Sequence, residues 1–281
     1  MARVHLLKMA VVAILTIACS SEKKQRSVST AQPNVVVPER QFRMSGLERD
    51  RQIRIYLPPH YQNTQGRYPV LYMHDAQNLF DDSTSYAGEW GIDESLNELS
   101  QSMDLNIIVV GIDNGQDKRM NELSPWENQK FGKAEGAEYI EFIVKQVKPF
   151  IDSTYRTLSD RENTAIIGSS MGGLISHYAI YKYQDVFSKA GIFSASYWYS
   201  DEVYSFTKDN PVPSDSRLYL IVGKNEGAMV DESEKMYDQI VAQEHPKENV
   251  MLVVDADGEH NEASWRRQFT PAIKWLFNQK K

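Results

Sequence analysis

Cysteine is almost absent from this chain, which has only one, Cys19, among 281 residues. A single thiol near the N-terminus leaves the rest of the chain without a disulfide, a cysteine nucleophile or a cysteine-ligated metal. The folded part must therefore be stabilised by its core alone. A chain of this length with 41% hydrophobic residues can build such a core as one domain.

Positive charge is sparse as well. Asp and Glu outnumber Lys and Arg by 38 to 31, the net charge is −7, and no run of basic residues forms a stripe. The composition argues against nucleic acid as a partner and against attraction to anionic lipid. Long apolar runs are also missing, because Met9–Ile17 is too short to cross a bilayer.

The N-terminal segment around that short run differs from the rest of the chain. Arg3 and Lys8 precede it, and the small residue Ala18 and then Cys19 follow it. This order is typical of a secretory signal. It resembles the bacterial lipoprotein signal, in which cleavage leaves the cysteine N-terminal and lipidated, although Thr16 stands where that motif usually has Leu. The alternative is an ordinary signal peptide with an incidental cysteine.

These features predict three segments along the chain. A lipoprotein-type signal peptide covers residues 1–18, a flexible polar tether covers 19–33, and one folded domain covers 34–281. We therefore expect an exported protein of the bacterial cell envelope, anchored by lipid on Cys19. The membrane would be contacted through that lipid only.

After the tether, short apolar runs alternate with helical spacings. Several runs are solid blocks of Val, Ile, Leu and Tyr, typical of strands buried on both faces of a mostly parallel sheet. The predicted strands are Gln52–Leu57, Pro69–His74, Asn106–Ile112, Thr164–Gly168, Lys189–Phe193, Arg217–Gly223 and Asn249–Asp255. The alternation predicts an α/β fold, a mostly parallel central sheet with helices on both faces. Pro149 lies inside one helical pattern and predicts a kink or an early end there.

The strongest local motif is Gly168–Gly173, which follows a predicted strand and precedes a predicted helix. Ser170 is the centre of a G-x-S-x-G pentapeptide, in which the chain turns sharply and exposes the serine hydroxyl above the sheet. The flanking glycines allow the close backbone approach that this turn needs. The N–H of Met171, at the start of the helix, is the natural first donor to an oxyanion. A Gly/Ser connector without chemistry is the alternative.

A serine nucleophile needs a base, and in α/β-hydrolases the chain order is Ser, acid, His. Three histidines follow Ser170: His177, His245 and His260. His177 falls two turns into the next helix, where packing is the usual role, and His245 lies in a polar linker, where we expect it to be exposed. His260 follows the last predicted strand, at the sheet edge where the site should be, and is the predicted base.

The acid should come from the loop after the strand Arg217–Gly223. Glu226 lies closest to the end of that strand and is the first candidate. Asp231 opens the next helix, where a favourable interaction with the helix dipole already explains an acid. It is therefore the second candidate. Asp255 and Asp257 are weaker candidates because they neighbour His260.

The second oxyanion donor should come from the loop after Pro69–His74. A backbone N–H performs this role, so the sequence places it at about Ala76 or Gln77. His74 and Asp75 suggest a metal site or a second base, but no partner at ligand spacing supports a metal. We predict that these two side chains hold the loop by hydrogen bonds.

Aromatic residues recur in loops on the predicted catalytic side. Trp90, Trp126, Tyr197 and Trp198 could form a substrate cleft there. Packing beneath long loops explains them equally well.

These residues together resemble the putative esterase family of α/β-hydrolases, which includes esterase D, feruloyl esterases, enterochelin esterases and the mycolyltransferase antigens. The resemblance runs from about Arg54 to Trp275. Its pieces are Tyr72–Asp75 with Gln77–Asp81, Ile108–Asn114, Arg119–Glu122 with Ser124–Trp126, Phe150–Asp152 with Tyr155–Thr157, the elbow, Phe193–Ser194 with Trp198, and Gly258–His260 with Trp265.

The resemblance implies an α/β-hydrolase fold and ester hydrolysis by a Ser–acid–His triad, without a metal or an organic cofactor. The matching positions are Ser170, His260 and, by its place in Gly223–Glu226, Glu226. Ala76 departs from the pattern, since relatives often carry Gly there. The expected substrate is a small-molecule or carbohydrate ester. The alternatives are an acyltransferase using the same triad and a non-catalytic surface lipoprotein that binds carbohydrate.

Overall fold

The computed structural model describes residues 28–277. The predicted signal peptide, Cys19 and the tether up to residue 27 lie outside the described residues. Within the described part, no helix is both long enough and apolar enough to cross a membrane.

An eight-stranded sheet forms the centre of the fold. Its strands lie in the order β1-β4-β6-β5-β7-β8-β9-β10, and a separate two-stranded ribbon pairs β2 with β3. The strands are β1 Val35–Val36, β2 Phe42–Met44, β3 Arg49–Arg51, β4 Ile53–Tyr56, β5 Val70–His74, β6 Ile108–Ile112, β7 Thr164–Ser169, β8 Lys189–Phe193, β9 Arg217–Gly223 and β10 Val250–Asp255. In the eight-stranded sheet the pairs β1–β4 and β4–β6 are antiparallel, and β5 to β10 run parallel to one another. The predicted mostly parallel sheet is confirmed.

Two hydrophobic cores cover the two faces of this sheet. Alternate residues of one strand enter different cores: Val70 and Tyr72 face one, whereas Leu71 and Met73 face the other. This alternation is the period of two that a pleated strand imposes. Both faces are buried, which explains why the central strands are continuous apolar runs.

Helices on both faces provide the rest of the cores. They are α1 Ile92–Met103, α2 Arg119–Glu122, α3 Gly136–Phe142, α4 Lys148–Thr154, α5 Met171–Lys182, α6 Glu202–Asp209, α7 Ala228–Ala242 and α8 Glu262–Phe277. Helices α1 and α8 cover one face, and α3 to α7 cover the other. The predicted layers are therefore confirmed.

Pro149 changes the helical geometry, as its sequence position predicts. Helix α3 ends at Phe142, a π-helical turn runs over Ile143–Val147, and α4 follows with Pro149 in its first turn. Proline has no N–H to donate to the carbonyl of Lys145 and its ring would clash with it. In the π-helical turn a carbonyl accepts from the N–H five residues later, as Ile143 does from Lys148, so no N–H is needed from Pro149.

The end of the predicted tether packs on the domain. Ser29 Oγ donates to Asp81 Oδ2 at 2.7 Å, and the backbone N–H of Gln32 donates to Asp93 Oδ2 at 2.8 Å. The folded unit therefore begins a few residues before the predicted boundary at residue 34. Polar composition alone could not indicate this, because the partners lie about 50 to 60 residues further along the chain.

Candidate active site

Ser170 occupies the turn between β7 and α5. Its φ of 59° and ψ of −122° lie in a region that essentially only glycine adopts without strain. The chain keeps this conformation because the strand must enter the helix at once, and the Ser170 N–H is held by the carbonyl of Phe193 at 2.9 Å. A Cβ on Gly168 would lie 2.5 Å from the carbonyl oxygen of Gly172, so the turn requires glycine there.

His260 lies in the loop between β10 and α8. Its Nε2 is 3.0 Å from Ser170 Oγ, and its Nδ1 is 2.7 Å from Glu226 Oε2. The imidazole therefore connects a hydroxyl and a carboxylate through its two nitrogens. The three residues predicted from the sequence are brought together in one line of contacts.

Glu226 ends a short 3-10 turn directly after β9, and its side chain is 1% exposed. Its Oε1 accepts from the N–H of Gly223 and from Ser194 Oγ, each at 2.7 Å. Burial would raise the pKa of Glu226, but the hydrogen bonds from His260, Ser194 and Gly223 lower it below its usual value. The carboxylate is therefore ionised and can pair with an imidazolium. Asp231 is exposed in the first turn of α7 and has no contact with His260.

Two glycines allow the loops that carry Glu226 and His260 to meet. A Cβ on Gly223 would lie 2.4 Å from the carbonyl carbon of Gly258, so the two backbones touch where a side chain would separate them. The N–H of Asn225 donates to the Gly258 carbonyl at 3.1 Å. This contact sets the spacing between Glu226 and His260.

The predicted oxyanion donors, Met171 and Gln77, come from two different elements. Met171 begins α5, and Gln77 lies in a 3-10 turn after β5 that Asp75 opens with a φ of 55°. Neither backbone N–H has an acceptor among residues 28–277. The Gln77 side chain fixes its own loop, since it accepts from the N–H of Asn114 at 3.0 Å and donates to the Asn114 carbonyl at 3.3 Å.

Ser170 and His260 line an open pocket of about 610 Å³. Its other walls come from the loops after β5, β6 and β7, from the segment 84–90 and from the start of α8. The lining combines polar and aromatic side chains: Asp75, Gln77, Asn78, Thr84, Ser85, Tyr86, Trp90, Asn114, Gln116, Arg119, Glu262 and Trp265.

One wall of the pocket is held by an ion pair. Arg119 donates to both carboxylate oxygens of Asp75, at 2.6 and 2.9 Å, and Asn114 Nδ2 adds a bond of 2.8 Å. Burial would raise the pKa of Asp75, but Arg119 outweighs it and keeps the pKa below its usual value. His74 Nδ1 contacts Tyr139 Oη at 2.8 Å, and burial lowers the pKa of His74 to about 4, so the ring is neutral. The predicted loop-holding role of His74 and Asp75 is confirmed.

The expected aromatic cleft is only partly formed. Trp90 is 3% exposed and packs on Phe193 and Trp265, yet one edge lines the pocket. The prediction for Trp126 is wrong, because its ring is buried edge-to-face against Tyr178 and Phe206, away from the pocket.

Two further aromatic expectations also need correction. Tyr197 is buried, and Trp198 is half-exposed but lies outside the pocket lining. Tyr86, which the sequence analysis did not single out, is 96% exposed at the pocket rim.

The two other histidines after Ser170 are structural. His177 is buried between Tyr197 Oη at 3.0 Å and Thr207 Oγ1 at 2.8 Å. The prediction that His245 is exposed is wrong, because it is buried with Nε2 3.0 Å from the Ser216 carbonyl. The segment after α7 turns back over the start of β9, which its polar composition does not reveal.

No role was predicted for Ser194 and Arg119, although both lie in motifs of the sequence. Ser194 follows β8 and contacts Glu226, and Arg119 follows β6 and lines the pocket. Both lie beyond the carboxyl ends of parallel strands, where open α/β sheets bind ligands. That position is the signal that could have identified them.

Comparison with known proteins gives a family and a shared fold. The family described as Putative esterase matches residues 45–276. The uncharacterized protein YbbA of Bacillus subtilis (strain 168) is 26% identical over 244 residues, which cover 81% of this chain and 93% of YbbA.

Two solved structures are similar to this chain at low identity. The enterobactin esterase FES from Shigella flexneri has a TM-score of 0.71 at 19% identity, over 89% of this chain and 61% of that one. A ferulic acid esterase has a TM-score of 0.65 at 18% identity, over 86% of this chain and 96% of that one. The predicted α/β-hydrolase fold is thereby confirmed.

The family match spans most of the chain, from before β3 to the end of α8. The chain therefore belongs to the Putative esterase family and is an enzyme that hydrolyses carboxylic esters.

Proposed function

We propose that the chain is a serine esterase that acts through an acyl-enzyme formed on Ser170. The observation that carries the proposal is the continuous contact from Ser170 Oγ through His260 to Glu226 Oε2, at 3.0 and 2.7 Å. Nucleophile, base and orienting acid within hydrogen-bond reach are the requirements of acyl transfer.

In the first step, Ser170 Oγ attacks the ester carbonyl while His260 Nε2 accepts the hydroxyl proton. The resulting oxyanion would be stabilised by the N–H groups of Met171 and Gln77, which have no acceptor within the described chain. His260 then gives its proton to the leaving alcohol oxygen as the carbon–oxygen bond breaks. Glu226 orients the imidazole and stabilises its charged form throughout.

In the second step, water replaces the alcohol. His260 takes a proton from the water as its oxygen attacks the acyl carbon, and then returns a proton to Ser170 Oγ as the acid leaves. A sugar hydroxyl in place of water would give acyl transfer instead. Product analysis with and without an added alcohol acceptor distinguishes the two reactions.

The pocket supports a polar aromatic or sugar-linked ester as the substrate. Tyr86, Trp90 and Trp265 offer ring edges and faces, while Asn114, Gln116 and Glu262 offer hydrogen-bonding groups. The similar structure of an enterobactin esterase makes a siderophore-type ester a further candidate.

The test is Ser170→Ala against a panel of nitrophenyl acyl esters, feruloylated sugars, acetylated xylan and a catechol-type siderophore ester. Loss of a triad member typically lowers kcat by roughly 10⁴- to 10⁶-fold. Mass spectrometry should find the acyl group, or a fluorophosphonate label, on Ser170. Retention of a tenth of the activity by Ser170→Ala, or labelling of another serine, would overturn the mechanism.

We also propose that the protein is exported and anchored by lipid on Cys19. The supporting features are the basic start, the short apolar run and the small residue before the single cysteine. The fold is compatible with this, because residues 29–32 contact the domain at Asp81 and Asp93 and lead from the proposed anchor to the enzyme.

A further inference from the structure

Three acidic side chains converge where the pocket loop enters α1. They belong to Glu89, Asp93 and Glu94, and one carboxylate oxygen from each lies within 4.8 Å of the other two. Oxygens at this spacing can be contacted together by one ion at about 2.4 Å, the distance typical of calcium. Glu89 directly precedes Trp90, which lines the pocket.

The burial of these oxygens is an independent observation. Asp93 is 0% exposed, and its Oδ1 receives no hydrogen bond from the described residues. Glu89 Oε2 and Glu94 Oε2 are likewise shielded from solvent and accept no hydrogen bond within residues 28–277. A buried carboxylate oxygen without a donor is costly. Three of them in one cluster require a positive partner or a shared proton.

No ion pair with a protein cation neutralises the cluster within residues 28–277. None of the ion pairs among the described residues includes Glu89, Asp93 or Glu94. Arg266 packs against Gly91 and its charge acts on Glu89, but it forms no ion pair with any of the three carboxylates. The three carboxyl groups thus lie close together without an ion pair to any of them.

We propose that Glu89, Asp93 and Glu94 form a binding site for one divalent cation, with calcium as the preferred ion. Calcium accepts six to eight oxygen ligands in flexible geometry, so three carboxylates and several waters would satisfy it. A hard cation matches an all-oxygen cluster better than zinc or copper, which favour nitrogen and sulfur.

The site connects the N-terminal residues 29–32 with the segment that carries part of the pocket wall. Gln32 donates from its backbone N–H to Asp93 Oδ2 at 2.8 Å and from its Nε2 to Glu94 Oε1 at 3.1 Å. Glu89 extends the site to the segment that carries Tyr86 and Trp90. A bound cation would therefore stabilise the N-terminal residues 29–32 on the domain and fix one wall of the pocket. This role does not depend on the proposed catalytic mechanism.

The experiment compares thermal unfolding of the full chain after chelation, in the absence of metal and with millimolar calcium or magnesium. Ligand at about 100 times its Kd should raise Tm by roughly 5 to 10 °C for a domain of this size. Magnesium should act more weakly because it keeps its waters and demands an octahedral site. Calorimetric titration with calcium should give one site per chain.

Matched variants show which carboxylates cause the calcium-dependent rise in Tm. Asp93→Asn and Glu94→Gln should each lose most of the calcium-dependent shift, whereas Glu98→Gln, an exposed acid on the same helix, should keep it. If Asp93→Asn does not fold, the half-buried Glu94→Gln carries the test. An absent shift in the wild-type chain, or an unchanged shift in Glu94→Gln, overturns the proposal.

A shared proton predicts a different result. Because the folded-state pKa of Asp93 is raised, stability without metal would fall as pH rises from the ordinary carboxyl range towards about 7. That pH dependence, together with no response to calcium, would assign the cluster to a proton and exclude the cation site.

Discussion

Ser194 Oγ donates a 2.7 Å hydrogen bond to Glu226 Oε1, the carboxylate oxygen that His260 does not contact. The same hydroxyl accepts from the indole N–H of Trp265 at 3.0 Å. The Trp265 ring in turn meets the His260 ring edge-to-face, with centroids 5.0 Å apart. Ser194 and Trp265 thus orient both Glu226 and His260 from outside the chain of contacts that ends at Ser170.

Removing the Ser194 hydroxyl should therefore weaken catalysis without weakening substrate binding. A hydrogen bond to a charged group contributes about 1.5–3 kcal/mol, so Ser194→Ala should lower kcat by roughly 10- to 100-fold. KM should change little because Ser194 does not line the pocket. Steady-state kinetics measure both constants. Ser205→Ala, an exposed serine on α6, is the control, and a rise in KM alone would contradict the positioning role.

The strained backbone of Ser170 predicts a gain in stability when function is removed. A residue held at φ 59° and ψ −122° stores about 1–3 kcal/mol that glycine does not. Ser170→Gly should therefore raise Tm by roughly 2 to 10 °C, while Ser170→Ala, which keeps the Cβ, should not. Both variants should be inactive. Calorimetric unfolding compares them, and equal Tm values for the two would show that the turn is not strained.

Two amide substitutions distinguish Glu226 from Asp231 as the acid of the proposed triad. Glu226→Gln should lower kcat by roughly 10²-fold or more, because the amide cannot stabilise the imidazolium. Asp231→Asn should change kcat little, since its side chain is exposed on α7. The reverse pattern would assign the acid to Asp231 and contradict the contacts described here.

Glu226 should also make the stability of the folded chain fall in acid. Its folded-state pKa is lowered, so its contribution is present above the ordinary carboxyl pKa and is lost as pH falls through the folded-state value. The wild-type chain should therefore lose stability on the acid side more steeply than Glu226→Gln. Urea unfolding between about pH 3 and pH 7 measures the difference. Parallel curves would show that the hydrogen bonds to Glu226 do not lower its pKa.

Sequence order was sufficient to place Ser170, His260 and the first acid candidate, Glu226, at one sheet edge, because each follows a strand whose carboxyl end reaches that edge. It was insufficient for Trp126, whose burial depends on α5 and α6 packing around it. It was also insufficient for His245, which is buried by a turn that no local pattern marks. Backbone periodicity thus predicts positions along strands, whereas burial in loops depends on contacts between distant segments.

The proposed lipid anchor predicts that the protein is found in the membrane fraction. Each buried CH₂ adds about 0.8 kcal/mol of membrane affinity, and two or more acyl chains anchor a protein stably. The wild-type chain should therefore sediment with membranes, and mass spectrometry should find diacylglycerol on Cys19. Cys19→Ser should release the protein or leave it as an uncleaved precursor. Thr16→Leu, which restores the residue usual in the motif, should keep the anchor.

A chain starting at Val28 retains the bonds of Ser29 and Gln32 to the domain, so it should be soluble and fully active. Wild-type protein found in the soluble fraction without lipid would mean that the signal is an ordinary one.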